Sequence, residues 1–221
     1  MSFQDRLTRD NIIAEDLWVG HVSPITAGDL VKENHYLHRK PAYITHSFAL
    51  YRSCFIIGVT TFGPPIARQL QESMYPQNPY QVMELSRIWV QDGMPKNTTS
   101  WFVTRSLKLL PPYIIISYSD TSVGHEGSVY RALNWHYAGS TEAVVRTTTI
   151  NGAHSRHNND RNIGMAKDLE YSGIKHRYWT VTGNKRERNR LRKLCRWPAL
   201  DWDKPLTVTC PPKFHMETVK T

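Results

Sequence analysis

"QVMELSRIWVQDGMPKNTTSWFVTRSLKLLPPYIIISYSD", residues 81–120, decides the fold. Its first eleven residues alternate, with Val82, Glu84, Ser86, Ile88 and Val90 on one side and Met83, Leu85, Arg87 and Trp89 on the other, which is the period of a β-strand. Residues 97–110 change to a helical period: Phe102, Val103, Leu107 and Leu110 form an apolar stripe, and Asn97 or Thr98 stands at the cap. Residues 113–120 are an apolar run ending in polar side chains, as in a buried parallel strand that delivers Ser117, Tyr118 and Asp120 to its C-terminal edge. Strand, helix and buried strand in that order set an α/β arrangement. Strict alternation puts Glu84 and Arg87 on opposite sides of the first strand. Either is costly to bury alone, so each is expected to be paired or working, Glu84 by positioning substrate or by meeting an arginine.

Upstream, residues 24–38 read as a helix running into "NHYLHRKPAY" (34–43) and stopped by Pro41. Residues 47–63 alternate as two strands with a turn near Arg52-Ser53. Downstream, Gly124 and Gly127 turn the chain into a second helix, 128–138, with Tyr130, Asn134 and Tyr137 along one side at i, i+4 and i+7. Two strands follow, 140–150 and 175–183, separated by a polar loop, 151–173. The expected architecture is a single α/β domain, a mixed central sheet flanked by helices, with no internal repeat.

The charge is uneven. Of a formal net +9, residues 1–174 carry 16 Lys and Arg against 15 Asp and Glu, and residues 175–221 carry 12 against 4. "GNKRERNRLRKLCRW" packs Lys185, Arg186, Arg188, Arg190, Arg192 and Lys193 into a helix that Leu191, Leu194 and Cys195 dock on one side. A solvated surface helix and a face that meets nucleic acid phosphates are both open for this pattern, the low acidic count and Trp197 and Trp202 just after it bringing the second level with the first. On the helix at 97–110, Trp101, Arg105 and Lys108 offer an aromatic with two cations, suited to a base and a phosphate, or an ordinary amphipathic face.

No apolar run approaches the roughly 20 residues of a membrane span, and the first residues lack an apolar signal core, so a soluble protein of the cytoplasm is expected. Cys54, Cys195 and Cys210 form no CxxC pair and are read as reduced. His35 and His38, three apart, would share a metal if their stretch were helical; Asp120 as third ligand would complete a two-histidine, one-carboxylate set suited to Fe(II). The loop with His154, His157 and Asp160 reads as a substrate-strand contact or a plain loop.

The order of elements resembles the GNAT acyltransferase fold. More specifically, "NHYLHRKP", "GVTTFG", "MELSRIWV", "KNTTSWFVTRSLKLL", "ISYSDTSVGHEGSVYRALNWHYAGST" and "GNKRERNRLRKL", in consistent order over roughly residues 30–196, resemble the Mom family of phage DNA-modification proteins. That resemblance implies transfer of an acetamido (carbamoylmethyl) group to the exocyclic N6 of adenine, protecting phage DNA from restriction, with the host cytoplasm as location. It also implies double-stranded DNA as partner, and His35, Tyr36, Ser100, Asp120 and Tyr130 as site residues.

The turn that in acetyl-CoA enzymes carries a glycine-rich pyrophosphate cradle reads "DGMPKNTTS" here. Lys96, Asn97 and the hydroxyls of Thr98, Thr99 and Ser100 would still hold an anion at a helix N-terminus, so the donor is acetyl-CoA or another activated group, including an aminoacyl one. Glu84, Arg87 and Asn134 complete the expected substrate and donor contacts.

Adenine N6 is a poor nucleophile inside a base stack, so the base must be flipped out and a proton removed as the new bond forms. Asp120 is the first choice for that proton; capping the following turn is its alternative. Tyr36 and Tyr130 would stack on the base or donate to developing charge. A GNAT enzyme acting on protein or small-molecule amines, and a DNA-binding protein without catalysis, are the competing readings. A homodimer is left open.

Overall fold

The computed structural model describes residues 16–141, 144–149, 166–172 and 174–202. In chain order they form β1 (Leu17–His21), α1 (Pro24–Asn34), β2 (His46–Arg52), β3 (Phe55–Gly63), α2 (Arg68–Met74), β4 (Val82–Val90), α3 (Thr98–Lys108), β5 (Ile114–Asp120), α4 (Ser128–Ala132), β6 (His136–Ser140), β7 (Val144–Thr149), β8 (Ala166–Ser172), β9 (Lys175–Val181) and α5 (Lys185–Leu194). Seven strands make one sheet in the order β1-β2-β3-β4-β5-β9-β6, and β7 pairs with β8 in a separate antiparallel ribbon. In the main sheet only β4 and β5 run parallel. The mixed α/β sheet with flanking helices is therefore as expected.

Helices cover both faces of the sheet. On the first, Phe102 and Val103 of α3 and Tyr130 of α4 bury against Met83, Leu85, Ile115 and Tyr178. On the second, α1 packs Ala27 and Val31 on Val59, while Met74 at the end of α2 and Leu191 of α5 pack with Val82, Ile114, Ile116 and Trp179.

The departures from the expected elements have physical causes. β1 is an addition: Leu17 and Val19 point to the first core and Trp18 outward, a strand too short to stand out. α1 ends at Asn34, with His35 extended (φ −85°, ψ 139°), because Val31 is its last buried residue and the turn beyond has nothing apolar to dock. The helix expected over 128–138 stops at Ala132. Asn134 takes a left-handed conformation (φ 53°) that reverses the chain, and residues 136–140 become an edge strand on β9. Tyr130, Asn134 and Tyr137 thus do not share a helix face. Part of the expected polar loop 151–173 is strand β8; His154, His157 and Asp160 lie outside the described residues.

Two features of the sheet build the site. β4 and β5 are paired only from Val82↔Ile114 to Glu84↔Ile116; beyond that point β4 follows β3 to Val90, β5 follows β9 to Asp120↔Lys175, and a wedge opens between them. Between Leu85 and Arg87, β4 also carries a bulge, where the register to β3 slips at Ser86. Ser86 Oγ fills the interrupted rung by donating to the Thr61 carbonyl at 3.1 Å. The extra residue inverts the alternation: Val82 lies on the second face and Met83 and Leu85 on the first, whereas beyond the bulge Trp89 lies on the second and Ile88 and Val90 on the first. Arg87 consequently joins Glu84 on one side, contrary to the strict two-residue period.

Among the described residues no helix is long and apolar enough to cross a membrane. Cys54 is exposed and Cys195 half-buried, both as free thiols; Cys210 lies outside the described residues.

Candidate active site

The wedge holds a cavity of about 590 Å³, lined from four directions: His35, Tyr36 and Leu37 after α1; Glu84 to Ile88 of β4; Ser117 to Asp120 of β5 with Lys175 of β9; and Thr99 with residues 124–130 at the starts of α3 and α4. The base of the wedge is closed by side chains where the ladder has stopped. Ser117 Oγ donates to the Leu85 carbonyl at 2.8 Å and lies 2.7 Å from the Tyr130 hydroxyl, which also reaches the Tyr118 carbonyl at 3.3 Å.

The charged groups gather on the second face. Glu84 is largely withdrawn from water, and burial raises its pKa above the ordinary 4.5 although Arg87 and Lys175 pull the other way. Asp120 is the opposite case. Burial alone would raise it, but the hydroxyl and N–H of Ser122 donate to Oδ1 at 2.5 and 3.0 Å, Lys175 Nζ stands 3.4 Å from Oδ2, and the net shift is downward. Both of its oxygens are engaged, one of them in capping the turn that follows. Of these two carboxylates, burial leaves Glu84 the more basic, and Ser122 and Lys175 hold Asp120 toward its anion.

His35 is buried, and its pKa is pushed down to about 4, by desolvation first and then by Arg87, His125 and His38. Its Nδ1 accepts the Leu37 N–H at 3.2 Å, so the proton of the neutral ring resides on Nε2. Tyr36 stacks on His35 with ring centroids 4.3 Å apart. Tyr130 is buried, stacked on Tyr178 at 4.6 Å and tilted against Trp135, so its ring is committed to the core and only its hydroxyl faces the chemistry. Burial raises its pKa and keeps that hydroxyl protonated.

Among the expected substrate and donor contacts, Glu84, Arg87 and Thr99 line the cavity, and Thr99 is the one of the α3 start that does. Thr98 is buried with Oγ1 donating to the Pro95 carbonyl, and Ser100 Oγ donates to the Asn97 carbonyl, so both hydroxyls are turned into the helix start. Lys96 and the left-handed Asn97 are exposed in the preceding loop, outside the lining, and Asn134 is outside it too. The helix start can receive an anionic group, but these residues do not form a glycine cradle, so the geometry does not specify acetyl-CoA.

The metal set is not assembled. His35 lies beyond the helix end and His38, with φ 45°, turns its Nδ1 to the Lys32 carbonyl at 3.3 Å. Among the described residues no three His, Cys, Asp or Glu side chains converge on a metal position.

The two groups of expected DNA contacts lie on opposite faces of the sheet. Arg105 sits over the Trp101 ring at 5.2 Å on the first face, where both line a shallow groove with Lys108 beside β1. α5 lies on the second face, as do the charged groups of the cavity. Lys185, Arg186, Arg188, Arg190, Arg192 and Lys193 are all exposed along it, while its one acid, Glu187, is used in a capping box with Asn184. Trp197 lies beneath Arg177 and Trp202 packs on Tyr178, so both tryptophans serve packing.

Sequence reasoning missed His125 and Lys175. His125 has a legible signal, a histidine bracketed by Gly124 and Gly127; Lys175 has none, since only the antiparallel pairing Asp120↔Lys175 brings it to the site.

The sequence profile of the Mom protein family matches residues 16–194. The "Methylcarbamoylase mom" of Escherichia phage Mu is 27% identical over 140 residues, 59% of this chain; the match spans 57% of that relative's length. Among solved structures, an N-acetyltransferase from Staphylococcus aureus Mu50 superimposes with a TM-score of 0.44 at 12% identity, covering 75% of this chain and 98% of its own. A GNAT-family acetyltransferase from Bacillus cereus ATCC 10987 does so with 0.43 at 13% identity, covering 76% and 99%.

Proposed function

The chain belongs to the Mom protein family, and from that membership and the wedge-shaped cavity we propose that it is a transferase that modifies the N6 amino group of adenine in double-stranded DNA with an acetamido-type group. The observation that carries this reading is the pairing, in one cavity, of a buried carboxylate of raised pKa, Glu84, with a neutral imidazole, His35, that donates through Nε2. Adenine presents an N–H donor on N6 beside a ring-nitrogen acceptor, which is the complement of such a pair.

In the proposed reaction His35 grips the ring nitrogen. Glu84 accepts the N6 proton as the nitrogen attacks the electrophilic carbon of an activated donor; the N–C bond forms as the bond from that carbon to the donor's leaving group breaks. Arg87 balances the Glu84 carboxylate while it is charged, before the proton arrives, and the Tyr130 hydroxyl, held by Ser117, supplies a proton to the leaving group. Asp120, pinned by Ser122 and Lys175, keeps the loop before α4 in place. The donor's anionic end belongs at the start of α3 beside Thr99, and acetyl-CoA and an aminoacyl donor both remain candidates. Fe(II) has no role in this scheme. Duplex DNA docks on the second face, where α5 supplies cations on the side of the cavity that holds Glu84.

The test is mass spectrometry of nucleosides from DNA of cells expressing the protein. A deoxyadenosine derivative heavier by the transferred group supports the reading. Unmodified deoxyadenosine, with the protein folded and present, would return it to an acyltransferase of protein or small-molecule amines.

A further inference from the structure

Where the cavity meets solvent, two aromatic rings from unrelated segments close on each other. Tyr36, in the segment after α1, is 42% exposed and lines the cavity. His125, in the turn between β5 and α4, is exposed and lines the same cavity. Their rings stand perpendicular, centroids 5.0 Å apart. His35 stacks on Tyr36 at 4.3 Å, so one face of the Tyr36 ring is backed by an imidazole while His125 meets the ring at right angles.

The His125 turn is held by its ends. Gly124 and Gly127 both have left-handed φ (74° and 75°), and a Cβ on Gly127 would fall 2.2 Å from the Tyr178 hydroxyl. The His125 N–H donates to the Asp120 carbonyl at 3.2 Å. Backbone placement is therefore defined at both ends while the imidazole itself is exposed.

We propose that Tyr36 and His125 are the two jaws of a base clamp: the extruded adenine stacks on Tyr36, with His125 closing on it from the opposite loop. This rests on the function proposed above and names how that site holds its base. The reason is energetic. Extrusion forfeits the base's stacking in the duplex, a cost that an enzyme offsets by stacking the base on aromatic side chains. Among the rings that line this cavity, Tyr130 is spent on stacking with Tyr178 and on Trp135 behind it, and Tyr118 is half-buried against the second core. Tyr36 and His125 are the exposed aromatic pair of that lining.

The experiment uses the full chain and a short single strand of thymidines with one central 2-aminopurine, whose fluorescence falls when the base stacks on an aromatic ring. Anisotropy of an end label reads strand binding separately. Wild type is expected to quench the 2-aminopurine. Tyr36→Ala should lose most of the quench and His125→Ala part of it, each with strand affinity changed less than about threefold, since backbone contacts dominate affinity, and His125→Phe should restore the part that His125→Ala loses. The proposal is overturned if wild type binds the strand without quenching, or if Tyr36→Ala or His125→Ala quenches like wild type. Failure of the underlying function is read elsewhere, as absence of modified deoxyadenosine in wild-type DNA. Modified deoxyadenosine at wild-type level in His125→Ala would leave the function standing and remove the clamp.

Discussion

Glu84 and Arg87 stand on the same side of β4 although they are three residues apart, because the bulge at Ser86 inserts one residue against β3. An unbulged strand would send the guanidinium to the opposite face and leave Glu84 without its nearest cation. The bulge sits just past the last β4–β5 pair, so the strand parts from its neighbour and re-aims its side chains within the same few residues.

Ser117 is the post that props this opening. Ser117→Ala removes the donor to the Leu85 carbonyl and a partner of the buried Tyr130 hydroxyl, and unsatisfied buried groups cost about 1–3 kcal/mol each. Chemical denaturation should show a loss in that range with an unchanged m-value. A loss below about 0.5 kcal/mol would mean that the rung is dispensable.

His35 gives the fold an acid sensitivity. Its pKa lies near 4 in the folded chain against an ordinary 6.5, so between those values the unfolded chain binds a proton that the folded chain refuses. The contribution to stability is fully present above pH 6.5 and falls away as pH drops through about 4. His35→Gln should lose less melting temperature between pH 7 and pH 4.5 than wild type does; parallel decreases would show that the imidazole is not the sensor.

The two basic surfaces should behave differently toward DNA. Replacing Arg186, Arg190 and Lys193 of α5 with alanine should shallow the dependence of log affinity on log salt by about 0.9 for each phosphate no longer neutralised. Replacing Arg105 and Lys108 on the opposite face should leave the slope nearly unchanged. A larger effect from the α3 pair, measured by anisotropy on one duplex over a salt series, would place the DNA on the other face.

The α/β frame was legible because its signals are local. Residues 81–120 change from a two-residue to a helical period and back, and the observed β4, α3 and β5 fall within two residues of those changes. What could not be read depends on pairing between distant segments. The bulge exists only relative to β3, so Arg87 seemed to face away from Glu84; Lys175 reaches Asp120 only because β9 runs antiparallel to β5. The helix expected through Tyr137 failed at Asn134, where a left-handed residue reversed a segment whose aromatics then packed as an edge strand on β9. His35, Tyr36, Asp120 and Tyr130 do line the cavity, and the proposal of Glu84 rather than Asp120 as base rests on surroundings that sequence does not display. A carboxylate's basicity depends on what surrounds it, and Ser122 and Lys175 hold Asp120 toward its anion.

The central claim is that Glu84 takes the N6 proton, and the most direct measurement is nucleoside mass spectrometry of DNA from cells expressing wild type, Glu84→Gln or Asp120→Asn at matched levels. General-base removal is worth typically 10²–10⁴ in rate. Modified deoxyadenosine should therefore be abundant with wild type, reduced at least about a hundredfold with Glu84→Gln, and lowered far less with Asp120→Asn. Modification persisting in Glu84→Gln but lost in Asp120→Asn would contradict that claim and return the proton to Asp120.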